Sequence, residues 1–228
     1  MTTTSLDRID LDGRTLSIAM KEGSADEHDA AETSEFVSEL LSGRVDAAGY
    51  VAYLSRLRTV YATLENVGRA LADDPIVGRI YDADLDRLAA IDADLAFWAP
   101  NGVPEIVSEA AAEYASAIAA SAAWGGLYVA HHYTRYLGDL SGGQAIGKIL
   151  DRTFELDGQG VAFYEFEQIG KNKPYKDDYR RKLDELGATL TVGERARVVD
   201  EVKSAFKLNH RLFVELGTEL HRYRRIAD

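Results

Sequence analysis

Imidazole binds metals well at neutral pH, and His28 is the only histidine in the first hundred residues. It lies in the segment ADEHDAAE, with Glu32 four residues on, one turn along the same helical face. A carboxylate at that spacing can accept from one ring nitrogen, fix the tautomer and leave the other nitrogen free for a metal. Such pairs also occur on ordinary solvated helices, so the spacing alone does not separate a ligand from a surface pair. Lys21 stands two turns earlier on the same face, placed to reach an anionic edge of whatever His28 binds.

The run from Tyr133 to Gln144 (YTRYLGDLSGGQ) is more demanding. It sets Gly138, Gly142 and Gly143 within a helical pattern, where each glycine costs about 1 kcal/mol relative to alanine. Gly138 and Gly142 share a face, so together they strip side chains from one patch. Backbone can then approach a flat ligand closely, and the helix is weak enough to bend there. Arg135 and Asp139 form an i,i+4 pair on an adjacent face. A close helix–helix crossing would account for the glycines, but not for the Asp, the Arg and the two tyrosines around them. Further on, Lys176 and Arg180 in YKDDYR lie one turn apart, a cation pair suited to carboxylates or phosphates and equally at home on a solvated helix.

The elements that must position these residues all read as helices. There are only four prolines, strand-like alternation is nearly absent, and apolar residues recur with helical period throughout. A first helix is predicted from Thr15 to Ser42, stopped by Gly43, with Asp46 as the N-cap of the next. That second helix carries Tyr50, Leu54, Leu57, Tyr61, Leu64, Val67 and Leu71 on one stripe and ends before Asp74-Pro75. Tyr61, on the inward stripe, needs a buried partner for its hydroxyl. Further helices are expected over 78–97, 103–123, 127–154 and 176–187. The last opens with a capping box at Thr191–Glu194 and turns Val198, Val202, Ala205, Phe206, Asn209, Phe213, Leu216 and Leu220 inward. Asn209 is the odd member of that stripe and implies an internal polar network, since a buried amide is costly unless hydrogen-bonded. The reading is a single compact all-α domain over 13–222, with a disordered lead-in at 1–12 and a short basic tail at 223–228.

Composition narrows the chemistry. The 228 residues include no cysteine, which excludes disulfides, thiolate metal sites, iron–sulfur ligation and a cysteine nucleophile, and suits a cytoplasmic protein. A net charge of −12 argues against nucleic-acid binding. The charge is uneven: the first hundred residues hold 19 acidic and 9 basic side chains, the remainder 19 and 17. Lys171–Lys182 alone carries six basic residues against two acidic ones, a local patch suited to a small anion or an acidic redox partner. The N-terminus has no secretory pattern. The uncharged span Tyr114–Thr134 is too rich in Ala, Ser and Gly for a membrane helix and reads as two buried helices meeting near Gly125-Gly126. No hydrophobic anchor follows HRYRRIAD.

Taken together, these segments resemble the haem oxygenase family over roughly Leu16 to Leu220. The run VAHHYTRYLGDLSGGQ (Val129–Gln144) is similar to the family's distal-helix motif almost letter for letter. The pieces His28–Phe36, YKDDYR and AFKLN (Ala205–Asn209) follow in family order and spacing. The resemblance implies haem b held between a proximal helix and a kinked distal helix, with His28 as iron ligand and Glu32 orienting it. It implies that Gly138 and Gly142 lay backbone across the haem and leave the sixth iron position open to O₂. Asp139 would organise water beside the bound oxygen, with Arg135, Tyr61 and Asn209 extending that network. Lys21, Tyr133, Lys176 and Arg180 would hold the propionates, and Ser141 and Phe206 would join the haem contacts. The implied reaction opens haem to biliverdin, Fe²⁺ and CO, through a ferric hydroperoxide attacking a meso carbon, at the α edge. Electrons would come from a ferredoxin or an NAD(P)H-dependent flavoprotein reductase. The absence of a membrane anchor matches the soluble bacterial type. His131 and His132 receive no ligand role, and Tyr114 receives no role.

Two other readings compete. A haem-binding or storage protein without turnover would share everything except the distal Asp139 network. A di-iron or di-manganese helical oxidase would need several inward Glu residues with Glu-x-x-His spacing, and the sequence offers only His28 to Glu32.

Overall fold

The computed structural model describes residues 13–225, so the expected lead-in and the last three residues of the tail lie outside it. Eleven α-helices of the described residues form one all-α body, and its only strand-like pairing is an isolated bridge between Val45 and Arg224. Two long helices make the frame. Helix α4 (Ala47–Ala70) starts where the Asp46 carboxylate accepts the Gly49 N–H at 2.8 Å, and it buries Tyr50, Leu54, Leu57, Tyr61 and Leu64 completely. Helix α10 (Val192–Thr218) starts on the reciprocal Thr191–Glu194 capping box and buries Val198, Val202, Ala205, Asn209, Leu212 and Leu216.

The first predicted helix is three. α1 (Leu16–Gly23), α2 (Ala25–Glu32) and α3 (Glu35–Leu41) are separated at Ser24 and at Thr33-Ser34. The Ser24 hydroxyl donates to the Met20 carbonyl at 2.8 Å and that of Thr33 to the Asp29 carbonyl at 2.8 Å. These bonds give the backbone an alternative to helical continuation, so the chain can turn α2 separately against α10.

The helix expected over 78–97 is also shortened. Asp74 accepts from the Ile76 and Val77 N–H groups, and Asp82 from that of Asp84, giving turns and two short 3₁₀ segments. Helix α5 (Leu88–Trp98) begins only where the buried Glu65 carboxylate of α4 accepts the N–H groups of Arg87 (2.6 Å) and Leu88 (2.7 Å). Residues 103–107 are likewise not helical, and α6 (Glu109–Ala120) starts at its Ser108 cap.

The segment expected as one helix over 127–154 is continuous but uneven. α7 (Gly125–His132) and α8 (Gln144–Phe154) are joined by wide π turns at Tyr133–Leu137 and Asp139–Gly143. Its start requires glycine: a Cβ on Gly126 would lie 2.5 Å from the Trp124 ring. α9 (Asn172–Gly187) covers the outer end, and α10 is followed by a separate α11 (Leu220–Tyr223). Tyr223, Arg224 and Arg225, expected to open a basic tail, pair with residues 44–46. Phe206, placed on the inward stripe of the last helix, is only partly buried; Asn209 is buried there. No described helix is long and apolar enough to cross a membrane.

His132 sits in the middle of this packing, its Nδ1 2.8 Å from the Tyr179 hydroxyl and its ring stacked on Tyr179. Burial pushes its pKa down to about 3, against a weaker upward pull from Asp82. The neutral ring therefore contributes stability that is complete above about pH 6.5 and is lost as pH falls toward 3. A His132→Gln variant should lose stability less steeply than the parent between pH 6.5 and 4. The slopes should differ by up to about 1.4 kcal/mol per pH unit in urea unfolding; parallel curves would remove His132 from the acid response.

Candidate functional site

The residues singled out in the sequence fall into two groups on either side of one stretch of backbone. The first group lines an open cleft of about 600 Å³ between α1–α2 and the π-turn segment. His28, Lys21 and Glu32 stand on one wall; Tyr133, Gly138, Ser141 and Gly142 stand on the other; Arg180 of α9 and Phe206 of α10 also line it. Lys176 is not part of the lining. It sits at the rim, where its ammonium donates to the Ser141 hydroxyl at 3.2 Å.

His28 is 45% exposed and faces into the cleft, with Phe206 edge-on at 5.4 Å. Its Nε2 is 3.3 Å from the Glu32 carboxylate and its Nδ1 is 3.5 Å from that of Asp29. Both nitrogens therefore face carboxylates, where the sequence reading had Glu32 alone. Asp29 carried only the signal of being the next residue. Opposite, a Cβ on Gly138 would meet nothing within 4 Å, and one on Gly142 would approach only the Glu32 carboxylate, at 3.8 Å. The glycines thus present bare backbone to the cleft, and no helix packs against that face. A simple helix crossing does not explain them.

The second group lies directly behind that backbone and does not touch the cleft. Arg135 is buried; its Nη1 donates to Asn209 Oδ1 at 2.5 Å, its Nε to the Tyr61 hydroxyl at 3.2 Å and its Nη2 to Asp139 Oδ1 at 3.3 Å. The Tyr61 hydroxyl donates to Asp139 Oδ2. Burial pushes the Asp139 carboxyl above its ordinary range, against the pull of Arg135 and the Tyr61 hydrogen bond. Burial likewise drives Tyr61 well above an ordinary phenol.

Sequence reasoning missed part of the lining: Ser17, Ile18, Ser24, Ala25, Thr134 and Leu137 also face the cleft. None has a chemical signal; the first four arrive with the separate α1 and α2, and Thr134 and Leu137 with the irregular distal segment. Tyr114 is fully buried with no partner for its hydroxyl, and burial pushes it above an ordinary phenol. His131 and His132 lie behind the distal segment, His131 with its Nε2 2.8 Å from Glu201. Among the described residues no group of three or more His, Asp or Glu side chains converges to hold a metal, so the carboxylate-bridged oxidase lacks a ligand set.

Residues 14–215 match the sequence model of the Heme oxygenase family. The chain belongs to the haem oxygenase family. It is 37% identical over 208 residues to Heme oxygenase 1 of Synechocystis sp., covering 90% of this chain and 86% of that one. To Heme oxygenase 1 of Homo sapiens it is 36% identical over 207 residues, covering 88% and 71%. The solved structure of heme oxygenase-1 from Synechocystis, in complex with heme, superposes with a TM-score of 0.84 at 34% identity over 92% of this chain and 95% of that one. This haem oxygenase is thus an all-α enzyme of the bacterial type.

The geometry yields one prediction about the buried group. Replacing Asn209 with Leu leaves a guanidinium N–H without its acceptor, which should destabilise the fold by about 1–3 kcal/mol in urea unfolding. An unchanged midpoint would mean that Arg135 does not depend on Asn209.

Proposed function

We propose that this chain binds haem b in the cleft through His28 and opens it, with O₂ and electrons, to biliverdin, Fe²⁺ and CO. One arrangement carries the reading. An imidazole faces bare helix backbone across a cleft, and a buried Asp–Arg–Tyr–Asn group stands immediately behind that backbone.

The residues present fit such a ligand. Ile18, Ala25, Leu137 and Phe206 offer apolar contact to a flat macrocycle, while Lys21 and Arg180 line the cleft and Lys176 stands at its rim, where acidic side arms would point. Bound haem supplies the iron that activates O₂ and is also the molecule that is opened. His28 would hold it from one side through the ring nitrogen that turns away from its carboxylate, and the carboxylate kept at the other nitrogen, Glu32 or Asp29, would fix the imidazole's tautomer and orientation. Gly138 and Gly142 would admit the ring against bare backbone and so favour cleavage at one meso carbon, the α position. Asp139, held at Oδ1 by Arg135 and at Oδ2 by Tyr61, would organise water toward the glycine face, and protons would be delivered through that water. Electrons arrive from a ferredoxin or a flavoprotein reductase.

The test is an absorption spectrum of the purified protein with one equivalent of haemin, followed after adding ascorbate in air. Decay of the Soret band with growth of the broad red biliverdin band is expected. A Soret band that survives repeated reduction, also with ferredoxin and its reductase, would favour haem binding without turnover. His28→Ala should lose the imidazole-ligated spectrum and turnover together. Asp139→Ala should keep haem but form biliverdin about a hundredfold more slowly; a normal yield would remove Asp139 from proton handling.

A further inference from the structure

Tyr223, Arg224 and Arg225 take no part in the proposed chemistry, yet their backbone is firmly tied. The Asp46 N–H donates to the Tyr223 carbonyl at 2.8 Å, the Arg225 N–H donates to the Arg44 carbonyl at 2.9 Å, and Val45 bridges Arg224. The side chains reach further. Arg225 Nη1 donates to the Thr153 carbonyl at 2.9 Å, and its guanidinium lies 5.1 Å from the Phe154 ring. Arg224 comes within 3.7 Å of the Glu35 carboxylate. One three-residue segment therefore joins the first turn of α3, the loop after α3 and the last turn of α8. The same junction is close-packed: Gly43, at φ +68°, sits where a Cβ would lie 2.9 Å from Thr153 Oγ1, and α3 packs on α8.

This junction is where the two walls of the cleft come together. α3 follows α2, which bears His28 and Glu32, and α8 follows the segment that bears Gly138 and Gly142. Two arms that leave a cleft and are fastened at their far ends open only as far as the fastening allows. We propose that Tyr223–Arg225 is a clasp that sets the spacing between the imidazole wall and the glycine wall, and with it the grip of the cleft on a flat ligand. Arg225 is its positioning residue. A cation on the last carbonyls of a helix both satisfies an acceptor and opposes the helix dipole. Removing that cation frees the end of α8 without touching the cleft. The grip on haem rests on the function proposed above; the spacing of the walls does not.

The experiment compares Arg225→Ala and Arg225→Lys with the parent in the full chain, using Arg222→Ala on exposed α11 surface as control. Amide hydrogen exchange is read first, without haem. Arg225→Ala should speed exchange in 25–41 and 144–154 by about fivefold to tenfold while the core of α4 stays unchanged; Arg225→Lys should fall between. Transfer of haem from the loaded protein to apomyoglobin should then accelerate severalfold in Arg225→Ala. Faster exchange confined to 44–46 and 223–225 would overturn the clasp, as would acceleration spread evenly through α4. If the parent fails to bind haem, the functional reading falls, and the exchange data still decide the clasp.

Discussion

Burying the Arg135 guanidinium obliges three helices to meet around it. A desolvated cation is tolerated only when paired and hydrogen-bonded, and the partners come from α4 (Tyr61), from α10 (Asn209) and from the distal segment itself (Asp139). Each acceptor projects from the inward face of its element, so satisfying the charge also sets the rotation of each helix. The distal segment cannot turn about its axis without leaving Arg135 unpaired. That locks the opposite face, with Gly138 and Gly142, toward α1 and α2. The cleft is in this sense the far side of a buried ion group.

The glycine face and the interruptions of the N-terminal helices answer each other. A distal segment that exposes backbone to a cleft gives up the side-chain packing that normally holds a helix, and it contains two wide turns in place of regular α geometry. The facing wall is built from α1 and α2, short helices parted from one another at Ser24, with α2 parted from α3 at Thr33. Breaking them allows α2 to pack on α10 while α1 packs on α9 as well as α10, which spreads the wall into a concave surface. His28 reaches the cleft because α2 is short and separately oriented.

Much of this was legible in the sequence for a definite reason. The all-helical class follows from period and from the scarcity of proline. The frame helices follow from local caps, Asp46 and Thr191–Glu194, that act within one turn. The buried polar group was foreshadowed by Tyr61 and Asn209 on otherwise apolar stripes, since a polar group in such a position must find a partner. Some errors come from local side-chain bonds, as at Ser24 and Thr33, and others lie where long-range acceptors decide. α5 starts at Leu88 because Glu65, more than twenty residues away, supplies its cap. Phe206 reads as core by periodicity, but it lies at the edge of a core cluster, only partly buried, with the His28 ring against it.

The sequence by itself determined the family, through the Val129–Gln144 motif, and the helical class and the set of residue types available for chemistry, because these depend on local pattern alone. Packing between distant segments sets which of those residues share a cleft and which stand behind it. It parted Gly138 from Asp139, adjacent in the chain, onto opposite sides of one wall, and it gave His28 a second carboxylate in Asp29. It also brought the C-terminal arginines to the ends of α3 and α8. Side-chain direction around an irregular helix, and contact between distant segments, are settled by packing and by the demands of buried charge, and neither quantity is local to the chain.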